Sequence, residues 1–177
     1  MSETSKLHKE SSPETATVYV ITCSTSKFKQ LKAKQQTDDK SGDIIERLAA
    51  NAGHKIAGRQ LISDSKPLIR KAIRGALSNR DVDVVIITGG TGLSSTDVTF
   101  EAISPLLDRE IPGFGELFRK ISFDEIGSAA MMSRAFAGTI KRASIFCLPG
   151  SPNAVRTAME KLILPELGHL VGLAQGP

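Results

Sequence analysis

The sequence contains no Trp and a single Tyr. No series of aromatic faces is available for bases to stack on, which counts against a single-stranded nucleic-acid platform. Nor does a basic face run along the chain. The formal net charge is +4, and Lys27, Lys29, Lys32 and Lys34, with no acid among them, are enough to account for it. Nucleic acid is therefore not an expected partner. Only Cys23 and Cys147 carry thiols, with no CxxC or Cys/His spacing, so no structural zinc site is expected. His8, His54 and His169 are scattered and form no ligand cluster. No apolar run approaches the length of a membrane span, and no apolar h-region follows the N-terminal charges. These absences predict a soluble cytoplasmic protein with no membrane partner and two buried, reduced cysteines.

What is present is a globular composition, 40% hydrophobic and 24% charged in 177 residues, a length that suits one domain. Residues 1–15 are polar and aperiodic and read as a disordered leader, leaving 16–177 as a single domain. Residues 16–23 and 84–87 are β-branched runs that read as strands, the second buried on both faces. Between them, residues 24–36 read as a lysine-bearing loop and Thr37 or Asp38 as a helix start. Ile44, Ile45, Leu48 and Ala49 then mark an amphipathic helix stopping at Gly53. Residues 54–62 read as a half-polar strand near a sheet edge, and Leu68 to Leu77 as the apolar stripe of a helix with Pro67 at its start. Further helices are expected over 98–107, 126–137 and 154–164, the last ending at Pro165 with 167–173 as a final turn. A strand is expected over 142–148. Residues 108–119 show no regular pattern. Strands alternating with helices predict an α/β three-layer sandwich with a mostly parallel central sheet.

In such sheets ligands bind beyond the C-terminal ends of the strands. Four loops fall there: 24–36, 63–65, 88–97 and 149–153. Thr88-Gly89-Gly90-Thr91-Gly92 matches neither the Walker A loop nor the dinucleotide fingerprint, but its N–H groups suit a phosphate nest. Its plainer reading is a tight turn that needs glycine. Asp97 stands where the N-cap of the next helix would stand, and Asp64 invites the same reading. Two such acids beside a phosphate nest would equally suit Mg²⁺. Pro149-Gly150-Ser151-Pro152-Asn153 is a stiff connection whose Ser and Asn can either cap a helix or hold the edge of a heterocycle. Glu116 reads as a ligand-binding acid or a solvated loop residue. Arg134 reads as a phosphate partner or one half of a salt bridge.

The combination of Thr88–Gly92 with Asp97, then Ile111–Glu116 (IPGFGE), then Leu148–Val155 (LPGSPNAV), resembles the MoaB/Mog family of molybdenum cofactor biosynthesis proteins. Three motifs in order carry the likeness, over 16 to about 173. The resemblance implies the family's molybdopterin-binding fold, assembly as a homotrimer or homohexamer, and molybdopterin as substrate. It also implies adenylylation of molybdopterin by ATP with Mg²⁺, releasing pyrophosphate, and other proteins of the same biosynthesis as partners. Carried over by position, Thr88, Gly89, Gly90, Thr91 and Gly92 would cradle phosphate. Asp64 and Asp97 would be the catalytic, metal-holding acids. Glu116, Pro149, Gly150, Ser151, Pro152 and Asn153 would bind the pterin. The family's active nucleotidyltransferases tend to carry basic residues where this chain has Leu93-Ser94-Ser95-Thr96, so Lys27 to Lys34 are the candidates to supply that charge. The alternative function is a non-catalytic molybdopterin carrier in the same pathway.

Overall fold

The computed structural model describes residues 13–176; the leader read over 1–15 lies largely outside them. A six-stranded sheet runs β2-β1-β3-β6-β5-β4. Its strands are β1 (Thr17–Cys23), β2 (Lys55–Ile62), β3 (Val84–Thr88), β4 (Arg109–Glu110), β5 (Phe136–Ile140) and β6 (Ala143–Leu148). The first four in that order are mutually parallel, while β5 and β4 complete the sheet antiparallel. The half-polar β2 lies at an edge, as its composition predicts. All five residues of β3 are buried, and the two-residue period splits them between two cores. Val84 and Ile86 face one cluster with Val18, Val20, Phe146 and Leu148. Val85 and Ile87 face the other with Ile21, Ile145 and Cys147.

The helices that cover these cores are α1 (Thr25–Lys32), α2 (Lys40–Asn51), α3 (Lys66–Ser78), α4 (Thr99–Ile103), α5 (Pro112–Ile126), α6 (Pro152–Ala158) and α7 (Leu167–Gln175). Ile44, Ile45 and Ala49 of α2, Phe114 and Phe118 of α5, and Val155 and Ala158 of α6 fill the first core. Ile69, Ala72, Ile73 and Ala76 of α3, with Ala102 and Ile103 of α4, fill the second. The chain is therefore the three-layer α/β sandwich that the alternation predicts.

Several local expectations are corrected. The stretch 24–36 is not all loop: Ser24 Oγ accepts from Lys27 N and starts α1, a helix that buries none of its residues. The irregular stretch 108–119 holds β4 and the first half of α5, with Pro112 in the first turn, where its missing N–H costs nothing. Gly115 is no breaker there, since a Cβ on it would lie 2.7 Å from the Ala135 carbonyl oxygen. The helix expected over 126–137 is a 3₁₀ segment, Gly127–Met132, followed by strand β5. At the C-terminus Pro165 does not end the helical path. A π-turn, Met159–Ile163, and a 3₁₀ turn, Leu164–Glu166, absorb the missing N–H, and the chain continues into α7. Among the described residues no helix is long and apolar enough to cross a membrane.

Candidate active site

β1 leads to β2 on one side of the sheet and β3 lies on β1's other side, so the strand order reverses between β1 and β3. Loops leaving the two strands diverge at such a point and open a crevice. A cavity of about 530 Å³ occupies it, lined by the ends of β1 and β3, by the loop after β6, by Asp64 after β2, and by residues of α5. Thr88, Gly89, Gly90, Thr91, Gly92, Asp64, Asp97, Pro149, Gly150 and Ser151 all line this cavity. Pro152 and Asn153 lie just beyond the lining, in the first turn of α6. Glu116 is placed apart: it lines a second cavity, with Arg119 and Phe100.

The glycine loop is tied down through its carbonyls. Thr99 Oγ1 donates to the Gly89 oxygen (2.8 Å) and Thr99 N to the Gly90 oxygen (2.9 Å). Arg134 donates from its backbone N to the Thr91 oxygen (3.3 Å), from Nε to the Gly92 oxygen (2.9 Å) and from Nη2 to the Asp97 oxygen (2.9 Å). The N–H groups of Gly90, Thr91 and Gly92 donate to nothing among the described residues. That pattern of occupied acceptors and open donors makes an anion nest. Glycine is required here: Gly89 and Gly90 have φ of 98° and 66°, outside the ordinary range of side-chain-bearing residues. At Gly92 a Cβ would fall 2.7 Å from Asp97 Oδ2.

Neither acid caps its own helix. Val98 is the N-cap of α4 and makes no side-chain cap bond, while Asp97 Oδ2 reaches back to Ser94 N (3.1 Å). The capping expected of Asp97 is thereby corrected: the cap falls one residue later, at Val98, and the Asp97 carboxylate lies above Gly92 instead. Asp64 Oδ2 accepts from Thr25 N (2.7 Å) and Thr25 Oγ1 (2.9 Å), so it steadies the start of α1 rather than of α3. Each acid keeps its Oδ1 free of hydrogen bonds among the described residues. Two carboxylate oxygens at one anion nest fit Mg²⁺, which takes one or two protein carboxylates and completes its shell with phosphate and water oxygens. Among the described residues no group of three or more His, Cys, Asp or Glu is placed to hold a metal alone. Any such ion would need ligand oxygens to complete its shell.

The loop after β6 is tied in the same manner. Ser41 Oγ donates to the Gly150 oxygen (2.8 Å) and Thr88 Oγ1 to the Pro149 oxygen (2.8 Å). Ser151 caps α6, its Oγ accepting from Ala154 N. Arg134 forms an intramolecular ion pair with Glu101, whose carboxyl it holds below the usual carboxylate range. The four lysines do not act as one group: only Lys27 lines the cavity, and its Nζ donates to the Asp38 oxygen (2.6 Å).

Sequence reasoning missed Thr22, Asp39, Ser41, Phe118 and Ser122 on the cavity wall. Asp39 is 8% exposed and caps α2 through Gly42 N (3.3 Å). Burial alone would raise its carboxyl pKa, but its polar neighbours Thr22, Arg59 and Gly42 outweigh that and hold it below the usual range. Arg59 meets Asp39 Oδ2 at 2.6 Å, Asp43 at 2.6 Å and Glu46 at 2.9 Å. Asp39 carried a legible cap signal, and it caps α2 just past the start read at Thr37 or Asp38. Phe118 and Ser122 sit in a helix the sequence did not disclose. The Cys23 thiol is pushed up to about 12 by burial, against a hydrogen bond to Thr99, so it is no nucleophile.

Residues 19–169 match the family model described as a probable molybdopterin binding domain. Molybdenum cofactor biosynthesis protein B of Bacillus cereus is 47% identical over 164 residues, covering 92% of this chain and 93% of that protein. A crystal structure of a molybdenum cofactor biosynthesis protein B superposes with a TM-score of 0.82 at 47% identity, over 92% of this chain and 97% of its own. The tungsten cofactor synthesizing protein MoaB from Pyrococcus furiosus superposes with a TM-score of 0.82 at 36% identity, over 93% and 99%.

Proposed function

The chain belongs to the molybdopterin-binding-domain family of molybdenum cofactor biosynthesis proteins, and on that premise we propose that it adenylylates molybdopterin. In this reading ATP lays its triphosphate in the nest of Gly90, Thr91 and Gly92. Asp64 and Asp97 would hold Mg²⁺ through their free Oδ1 atoms, and the ion would supply charge neutralisation on the phosphates. The proline loop, Pro149 to Asn153, would take the pterin, with Ser151 and Asn153 at its polar edge and Phe118 of α5 as an apolar wall. An oxygen of the molybdopterin phosphate attacks the α-phosphorus of ATP in line. The new P–O bond forms as the bond from the α-phosphorus to the α,β-bridging oxygen breaks, and the electron pair departs with pyrophosphate. The attacking oxygen is already ionised, so no general base is required. What remains for the protein is positioning and electrostatics.

One observation carries this reading. Two acids, each with its Oδ1 free of hydrogen bonds among the described residues, overhang the N–H groups of Gly90, Thr91 and Gly92, which are open among the same residues, and both acids face the same cavity as the proline loop. A carrier that only sequestered pterin would not need an acid pair beside its phosphate nest. One observation favours the second reading, a non-catalytic molybdopterin carrier. Lys27 is the one cation lining the cavity among the described residues, and its Nζ is already engaged. The test is to incubate the protein with molybdopterin, α-labelled ATP and Mg²⁺. Adenylylated pterin and pyrophosphate in equal amounts support the enzyme; retained pterin without product selects the carrier.

We further read the protein as a cytoplasmic homotrimer or homohexamer, in keeping with exposed apolar side chains at Leu117, Phe123, Met131 and Met132. Sedimentation equilibrium decides this.

A further inference from the structure

The glycine loop rises from β3 at Gly89 and returns to the body of the protein at Thr99. Between Leu93 and Asp97 its bonds are almost all internal: Ser94 N to Asp97 Oδ2, Asp97 N to the Ser94 oxygen, and Ser94 Oγ to Thr96 Oγ1. One residue from outside reaches both ends of this excursion. We infer that Arg134 is the positioning residue of the site: it fixes the glycine loop's height and thereby aims Asp97, without itself meeting substrate. Its Nε holds the Gly92 carbonyl and its Nη2 the Asp97 carbonyl, each at 2.9 Å. Its backbone N holds Thr91, and its Nη1 is paired with Glu101 on α4. The guanidinium lies 5.5 Å from the centre of the Phe100 ring, which meets Phe136 edge-on at 5.0 Å. Arg134 is thus anchored to β5 on one side and to α4 on the other. It lines the second cavity, not the cavity of the candidate active site. A planar fork can serve two carbonyls and a carboxylate at once, which a lysine ammonium on a flexible stem cannot.

The consequence for turnover rests on the proposed adenylylation; the consequence for the loop does not. Amide hydrogen exchange on the full chain, read residue by residue, tests the loop directly in Arg134→Lys, Arg134→Gln and Glu101→Gln. Both Arg134 variants are expected to raise exchange at Ser94, Thr96 and Asp97 by about tenfold or more, with β1 and β3 unchanged. Glu101→Gln keeps the two carbonyl bonds and is expected to stay within about threefold of the parent. In the transfer assay Arg134→Lys is expected to lower kcat while leaving the KM for molybdopterin unchanged. The inference is overturned if Arg134→Lys restores parental protection, since the residue then serves only as a charge for Glu101. It is equally overturned if exchange rises uniformly across the sheet. Should the parent protein form no adenylylated pterin, the proposed function fails, and the loop measurement still decides the role of Arg134.

Discussion

The glycine loop, 89–97, and the proline loop, 149–153, leave adjacent parallel strands, β3 and β6, and face one cavity. Both are held by side chains and amides that occupy their carbonyl oxygens: Thr99 and Arg134 on the first, Ser41 and Thr88 on the second. Holding a loop by its acceptors leaves its donors to face a ligand. The two loops differ in charge and stiffness. The first has three glycines and is overhung by Asp64 and Asp97; the second has two prolines and no acid. Positive φ and an acid pair suit a close wrap around a charged metal–phosphate group. A stiff uncharged loop suits the edge of a planar heterocycle. On the proposed adenylylation, the first loop would supply charge and the second shape.

Substitutions that remove charge from one loop and contacts from the other should separate that division. Asp97→Asn and Asp64→Asn are expected to lower adenylyl transfer about a hundredfold or more, because each removes a carboxylate from the metal–phosphate side. Equal losses of pterin affinity would blur the division. Ser151→Ala removes one polar contact on the other side and should raise the KM for molybdopterin about threefold to tenfold with kcat within about twofold. Ser41→Ala loosens the proline loop by one hydrogen bond, worth about 1 kcal/mol in urea denaturation, and leaves the KM for ATP unchanged. Removing Lys27, Lys29, Lys32 and Lys34 together should raise the KM for ATP a few-fold, with Lys27→Ala alone accounting for most of it. An unchanged KM would exclude α1 from the charge side of the site.

The acid network behind the proline loop adds a pH signature. Asp39's carboxyl is held below its ordinary value in the folded state, despite burial, by Thr22, Arg59 and Gly42. Its stabilising contribution is therefore complete above the unfolded value and is lost as pH falls through the folded one. In acid titrations the parent should lose stability below about pH 4 more steeply than Asp39→Asn. Parallel curves would contradict the assignment.

The parallel half of the sheet was legible because β1, β3 and β6 are largely apolar runs ending in polar or glycine-rich loops, and the half-polar β2 also ends in a polar loop, Ser63-Asp64-Ser65. The antiparallel edge was not. Phe136–Ile140 is interrupted by Gly138 and preceded by an Ala/Met-rich stretch that imitates a helix, and Arg109–Glu110 is two exposed residues held only by pairing. α1 escaped because it buries nothing, so no apolar stripe betrays it. In the site, residue types and order were readable, and the direction of the carboxylates was not. Asp97 looked like a cap because it stands just before a helix. What turns it over Gly92 is the internal turn at Ser94 and the grip of Arg134, the second of them outside the reach of local pattern. Glu116 was grouped with the pterin loop by motif order alone and lines the second cavity instead.

The division between a charged reacting loop and a stiff holding loop meets its most direct test in Asp97→Asn, with molybdopterin affinity and adenylyl transfer measured on the same preparation. The account predicts molybdopterin affinity within about threefold of the parent, alongside transfer reduced about a hundredfold. Loss of affinity in proportion to loss of transfer would contradict it and would place Asp97 in pterin binding rather than in the reaction.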